Sequence, residues 1–207
     1  MEIVRCEERI LDTVSTIKNH NTSFILTHLN ESIRYDFEIM NHNEAILHTQ
    51  AESCPKEVIE EFLFYSGFIS QIKTVNGEVI YHQPQKNVMK QSLDWIQPSQ
   101  LYVNEEKLKR LLTWINDPRD IIVPVIKLNG KYVSMDGHTR LKVAELLGFQ
   151  EIYIYLDDPE VYIEDFVRFC QNEQKYSIYD LQIISDEEYQ IKWCSFCEVY
   201  FKDQNFQ

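Results

Sequence analysis

Lys131-Tyr-Val-Ser-Met-Asp-Gly-His-Thr-Arg-Leu-Lys-Val-Ala-Glu-Leu-Leu-Gly148 decides the fold. It reads as strand, tight turn and helix. The apolar run Tyr132 to Met135 ends at Asp136-Gly137. A helix is expected from about His138, with Leu141, Ala144 and Leu147 on one face and Gly148 as its stop. The first N–H groups of such a helix have no partner inside it, and the helix dipole adds positive potential there, so the turn attracts anions, phosphate above all. His138, Thr139 and Arg140 place a titratable ring, a hydroxyl and a fixed cation at the same spot. The same residues also suit a plain helix start, with Asp136 as cap and Arg140 in a surface ion pair.

Outward from this stretch the pattern continues. On its N-terminal side, Ile121 to Leu128 is a strand nearly continuous in Ile and Val, and Asn129-Gly130 turns it into Lys131 to Met135. Asn104 is placed to cap a helix carrying Leu108, Leu111, Leu112 and Ile115, stopped at Asp117-Pro118. Leu93 to Ile96 and Leu101 to Val103 read as short extended pieces, and Glu151 to Leu156 as a closing strand. Beyond it, an amphipathic helix from Pro159 onward presents Val161, Phe166 and Phe169, and Ser185 with Glu188 has the spacing of a capping box for a last helix.

Before residue 83 the chain reads as a separate small module. Ile3, Ile10, Val14 and Ile17 have helical spacing, predicting a first helix over residues 1–20. Ser23 to Leu29, Arg34 to Met40 and Ala45 to Thr49 are strand-like, and Pro55 opens a helix toward Gly67. Asn76-Gly77 predicts a hairpin between Phe68 to Val75 and Glu78 to His82. Gln83 to Gln91 reads as a linker. The expected organisation is an N-terminal α+β module over 1–88, a core over 89–158 and a helical extension over 159–207, an α/β (α+β) chain.

Composition narrows the chemistry. The 207 residues carry 20 Lys+Arg against 33 Asp+Glu, a net charge of −13. A surface of that sign repels a phosphate backbone, and no basic stripe offsets it, so nucleic acid is not the expected partner. No run of about 18 apolar residues suggests a membrane span, and the acidic N-terminus is wrong for a signal peptide, so the expected location is cytoplasmic. Five cysteines without compact spacing do not suggest a disulfide framework. Cys194-Ser-Phe-Cys197 has the spacing of a zinc or redox pair but no second pair or nearby His, which favours half-buried helix cysteines. His20, His28, His42 and His48 match no metal motif, and Tyr153, Tyr155 and Tyr162 suit packing better than base stacking. Oligomeric state is not legible.

Residues 93–156 resemble the ParB/sulfiredoxin superfamily. The resemblance is carried by Ile96-Gln-Pro-Ser-Gln-Leu101, the helix over 105–116, Val123-Pro-Val-Ile126 and Met135-Asp-Gly-His-Thr-Arg-Leu-Lys-Val-Ala-Glu-Leu-Leu-Gly148. It implies a mixed-sheet core that binds a nucleotide, ATP or ADP, at Gly137, His138, Thr139 and Arg140. His138 stands where sulfiredoxins have their catalytic cysteine. Partition-type ParB proteins carry Gly-Glu-Arg-Arg, of which only Gly137 and Arg140 match. The Asp-Gly-His-x-Arg form is similar to the free serine kinases. That branch implies phosphoryl transfer from a nucleotide to a small hydroxyl compound such as serine. Asp136 would hold Mg²⁺ or take part in proton transfer, and His138 and Arg140 would hold phosphate oxygens. Ser99-Gln100 stands where those kinases have a His-Glu pair, and a glutamine accepts no proton. Glu105 and Glu106 are the nearest acids in sequence. A non-catalytic nucleotide-binding regulator is the alternative, and a ParB-like DNA-binding or nuclease protein a third, disfavoured by charge.

Overall fold

The computed structural model describes residues 2–6, 20–28 and 31–204. The chain forms two compact units, residues 1–88 and 89–207. Both combine helices with mixed sheets, an α+β fold.

In the first unit, six strands form one sheet in sequence order: β1 Glu2–Cys6, β2 Thr22–His28, β3 Glu31–Ile39, β4 Glu44–Thr49, β5 Gln71–Thr74 and β6 Val79–His82. Glu2–Cys6 is a strand rather than the start of a helix, because it pairs antiparallel with β2 along its whole length. The rest of that expected helix, residues 7–19, lies outside the described residues. β4 and β5 are parallel and therefore need a crossover, which α1 (Lys56–Tyr65) supplies. Alternation puts Phe24, Tyr35, Phe37 and Leu47 on one face. There Phe62 of α1 stacks on Phe37 with ring centroids 4.1 Å apart. The other face carries polar pairs: Arg34 with Asp36 along β3, and His48 with Glu38 and Lys73 with Glu44 across strands.

The second unit holds β7 Met89–Ser92, β8 Ile96–Gln97, β9 Tyr102–Asn104, β10 Ile122–Leu128, β11 Lys131–Ser134, β12 Glu151–Leu156 and β13 Gln182–Ile184. Its helices are α2 Glu105–Leu112, α3 His138–Leu146, α4 Ile163–Asn172, α5 Asp186–Tyr189 and α6 Ser195–Gln204. The main sheet runs β7-β12-β10-β11-β8, and β9 pairs with β13 in a small parallel sheet. Met89–Ser92 is thus sheet rather than linker: it pairs antiparallel with β12. Leu93–Trp95, expected as strand, is a 3₁₀ turn with Leu93 fully buried.

Other boundaries moved for local reasons. α2 stops at Leu112, short of Asp117-Pro118, because Thr113 Oγ1 donates to the Arg110 carbonyl at 2.7 Å as the chain tightens. α4 begins at Ile163 rather than Pro159, leaving Val161 almost wholly exposed. α3 ends where expected, in a Schellman motif: Phe149 N–H donates to Ala144 O and Gly148 N–H to Glu145 O. Gly148 has φ +73°, a conformation that favours glycine. Leu147 belongs to this end and is exposed, while Leu141, Val143 and Ala144 are buried. α2 packs beside α3. α4, α5, the π-helical turn Gln190–Cys194 and α6 build a satellite core around Phe166, Cys170, Tyr189 and Trp193. Among the described residues no helix is long and apolar enough to cross a membrane.

Candidate functional site

The turn at Asp136-Gly137 has the backbone that its sequence suggests. Gly137 sits at φ +83° and is the N-cap of α3. A Cβ there would lie 2.5 Å from Val123 Cγ1 and 3.2 Å from the Arg140 guanidinium, so conformation and space both require glycine. The first turn of α3 closes with Leu141 N–H donating to Gly137 O at 2.9 Å. The N–H groups of His138, Thr139 and Arg140 precede that bond and have no helical acceptor. No side chain caps them and no acid stands in the first turn.

The side chains divide into two sets. His138 points inward and is 4% exposed. The Ser99 N–H donates to its Nε2 at 3.0 Å. Nε2 is therefore the acceptor nitrogen, and the neutral ring carries its proton on Nδ1. Burial, aided by the Arg140 charge and opposed by Asp136, pushes the ring's pKa down to about 4. Ser99 Oγ in turn donates to the Ser134 carbonyl at 2.7 Å. His138 thus braces the loop after β8 against the start of α3. A phosphate-holding imidazolium, as the resemblance implies, has no place in this arrangement, because Nε2 is occupied and burial disfavours the charged ring.

Arg140 and Asp136 lie on the outer side. Arg140 Nη1 donates to the Ile122 carbonyl at 3.0 Å, and Nη2 pairs with Asp136 Oδ2 at 3.2 Å. The ion pair of the plain helix-start reading is therefore present, though Gly137 rather than Asp136 is the cap. The Asp136 side chain remains 75% exposed, with one oxygen in the pair. Surrounding protein acts to raise its pKa. The charge of Arg140, the Gly137 N–H and the charge of Lys107 outweigh this and hold it below the usual carboxylate value. An exposed, ionised carboxylate fits one ligand position of Mg²⁺, a cation that takes the rest of its shell from phosphates and water. Among the described residues no group of three or more His, Cys, Asp or Glu is placed to hold a metal without such help, Cys194 and Cys197 included.

Lys107 escaped the sequence reading as a neighbour of the turn. Lys107 stands in the first turn of α2, its Nζ 5.8 Å from the ring centroid of Tyr189, and its charge is felt at Asp136. Lys109 on the same helix is engaged by Glu105 and Glu106, whereas no described carboxylate pairs with Lys107. The signal was faint: a lysine after a helix cap is ordinary, and only the packing of α2 on α3 brings it near Asp136.

Gln100 folds away, its amide donating to the Tyr102 carbonyl. Glu105 and Glu106 are turned to Lys109, so neither stands in for the missing acid. Thr139 is half-buried at the second position of α3.

No family model matches the chain, and no curated protein matches it. Among solved structures, protein Atu1540 from Agrobacterium tumefaciens is similar over 48% of this chain and 63% of its own length, at 14% identity and a TM-score of 0.33. A likeness of that degree carries no argument about function.

Proposed function

We propose that this chain binds ATP or ADP with Mg²⁺ at the start of α3 and transfers a phosphoryl group to a small hydroxyl compound, of which free serine is the first candidate. The observation that carries the reading is the uncapped helix start at Gly137, with three N–H groups free of helical acceptors and Arg140 and Lys107 close by. Oriented N–H groups at a helix start are a standard anion site. Phosphoryl transfer relies mainly on positioning and charge neutralisation, which this set of groups can supply. The residues in the reading are Gly137, Thr139 and Arg140 for phosphate oxygens and Asp136 for the cation. His138 positions the turn from within. The ParB/sulfiredoxin-like resemblance points the same way.

A second reading, a nucleotide-responsive regulator without turnover, is favoured by Gln100, which offers no base and is tied to Tyr102. Its low pKa makes Asp136 a weak base as well. Calorimetric titration with ATP, ADP and CTP plus Mg²⁺, on wild type and Arg140→Ala, tests the shared part. The expected result is adenine-nucleotide binding that the variant weakens at least tenfold, consistent with loss of a charge-assisted contact. Absence of binding by all three nucleotides refutes both readings. ATP turnover with serine then separates kinase from regulator.

A further inference from the structure

Arg140 has one fixed end and one exchangeable end. Its Nη1 donates to the Ile122 carbonyl at 3.0 Å, a backbone acceptor within the sheet. The guanidinium also lies against Gly137, where a Cβ would stand 3.2 Å from both Nε and Nη2. The side chain is only 20% exposed, so this bond and this packing set its position. Nη2 differs. Its partner is Asp136 Oδ2 at 3.2 Å, on a side chain that is 75% exposed and stands one residue before the cap of α3. An ion pair so open to water is weak, and its partner is readily exchanged.

The pair holds the place that an anion would take. Nη2 lies beside Gly137, at the helix start whose first N–H groups have no helical acceptor and no side-chain cap. Asp136 is thus the resident anion of the ligand-free turn. Among the described residues Arg140 is the one cation paired with it. A phosphate that takes Nη2 therefore leaves a carboxylate unpaired beside its own negative charge, and the two repel. A divalent cation carried by the phosphate removes the conflict, because such a cation accepts carboxylate and phosphate oxygens together. Every charge then keeps a partner: guanidinium with phosphate, carboxylate with cation.

We propose that the Asp136–Arg140 pair is an exchangeable latch that admits a metal–nucleotide complex and discriminates against the free anion. The inference rests on the nucleotide reading and specifies the form of the ligand that the turn accepts. Asp136 is the specificity-determining residue. Without a divalent cation its charge opposes the nucleotide, by competing for Arg140 and by repelling phosphate. With one, the same charge becomes a ligand and favours the complex. Arg140 needs no rearrangement for the exchange, since Nη1 stays on Ile122 while Nη2 changes partner. Cation and nucleotide then strengthen each other's binding by the same factor, as linkage between two sites requires.

The test is titration of ATP, once with Mg²⁺ and once with EDTA in its place, into wild type, Asp136→Asn and Glu164→Gln. Asparagine keeps the shape of the side chain and an oxygen for Arg140 but not the charge. Glu164 is an exposed acid in the first turn of α4, outside the pair, so Glu164→Gln changes net charge by the same amount. In EDTA, Asp136→Asn should bind ATP about fivefold more tightly than wild type, the size of one relieved charge repulsion near water. With Mg²⁺ it should bind about fivefold more weakly, so the gain that wild type draws from the cation nearly disappears. Glu164→Gln should follow wild type in both conditions. An Asp136→Asn variant that binds metal-free ATP no better than wild type, or that keeps the full gain from Mg²⁺, overturns the latch and leaves nucleotide binding standing. The same change in Glu164→Gln also overturns it, by assigning the effect to net charge. Failure of wild type to bind ATP in either condition overturns the nucleotide reading and the latch with it.

Discussion

The neighbouring helices α2 and α3 of the second unit start on opposite principles. At α2, Asn104 accepts the Lys107 N–H and Glu105 and Glu106 fill the first turn, so the exposed N–H groups and the helix dipole are answered from within the chain. At α3, Gly137 brings no side chain and no acid follows. The other described α-helices all have a side-chain cap or an acid in the first turn: Glu57 in α1, Glu164 and Asp165 in α4, Ser185 before α5 and Glu198 in α6. The chain has 33 acids to spend and puts none of them in the first turn of α3. The contrast separates a helix start that only has to be stable from one whose polar groups are left for something else.

The largest effect is expected from breaking the α3 turn itself. Gly137→Ala meets Val123 Cγ1 at 2.5 Å in a backbone conformation that disfavours a side chain. Strain and displacement together should cost about 3 kcal/mol in chemical denaturation. Gly130→Ala is the control: it has the same sign of φ, +81°, but nothing within 4 Å, so only the conformational cost of about 1 kcal/mol applies. Equal losses at the two positions would show that the close approach to Val123 does not matter.

His138 gives a comparable effect that depends on pH. Its folded pKa, about 4, lies below the ordinary 6.5. Between those values the unfolded chain binds a proton that the folded chain does not. Its stabilising contribution is therefore complete above pH 6.5 and is lost as pH falls toward 4, by on the order of 3 kcal/mol. Asp136, whose folded pKa is also depressed, adds a loss of the same sign at lower pH. Denaturation at pH 7 and pH 4.5 should show the fall in wild type and a smaller one in His138→Asn. A histidine that stays on the surface would show no such difference.

At α2, Asn104→Ala should cost about 1 kcal/mol for the cap. The bond to Asp186 is lost as well, so the start of α5 loosens. Guanidinium denaturation measures the first, and amide exchange at Asp186 to Tyr189 the second.

Much of this was legible where the chemistry is local. Asn129-Gly130, Asn76-Gly77, the Asn104 cap and the Gly148 stop all act through neighbouring residues, and each stands where the sequence puts it. What escaped depends on residues far apart. Met-Lys-Gln-Ser over 89–92 is too polar to declare itself a strand, and becomes one because β12 offers an edge. Ile3 has helical spacing with Ile10, Val14 and Ile17, but the pairing of Glu2–Cys6 with β2 overrides it at this end. Nothing near His138 indicates that its ring turns inward, because the Ser99 N–H that receives it comes from 39 residues away. Lys107 comes near Asp136 by packing alone.

The sharpest use of the comparison is to give α3 what the other helices have. Thr139→Asp places an acid in its first turn, on a half-buried position. The helix dipole then gains about 0.5 kcal/mol, partly offset by repulsion from Asp136, so the stability change should stay within about 0.5 kcal/mol. The ligand effect should be much larger, because a fixed carboxylate occupies the N–H groups and repels phosphate. We expect nucleotide affinity to fall at least tenfold in titration while the denaturation midpoint barely moves. If affinity survives beside a new negative charge at the helix start, the N–H groups are not what the anion uses, and the missing cap at α3 needs another explanation.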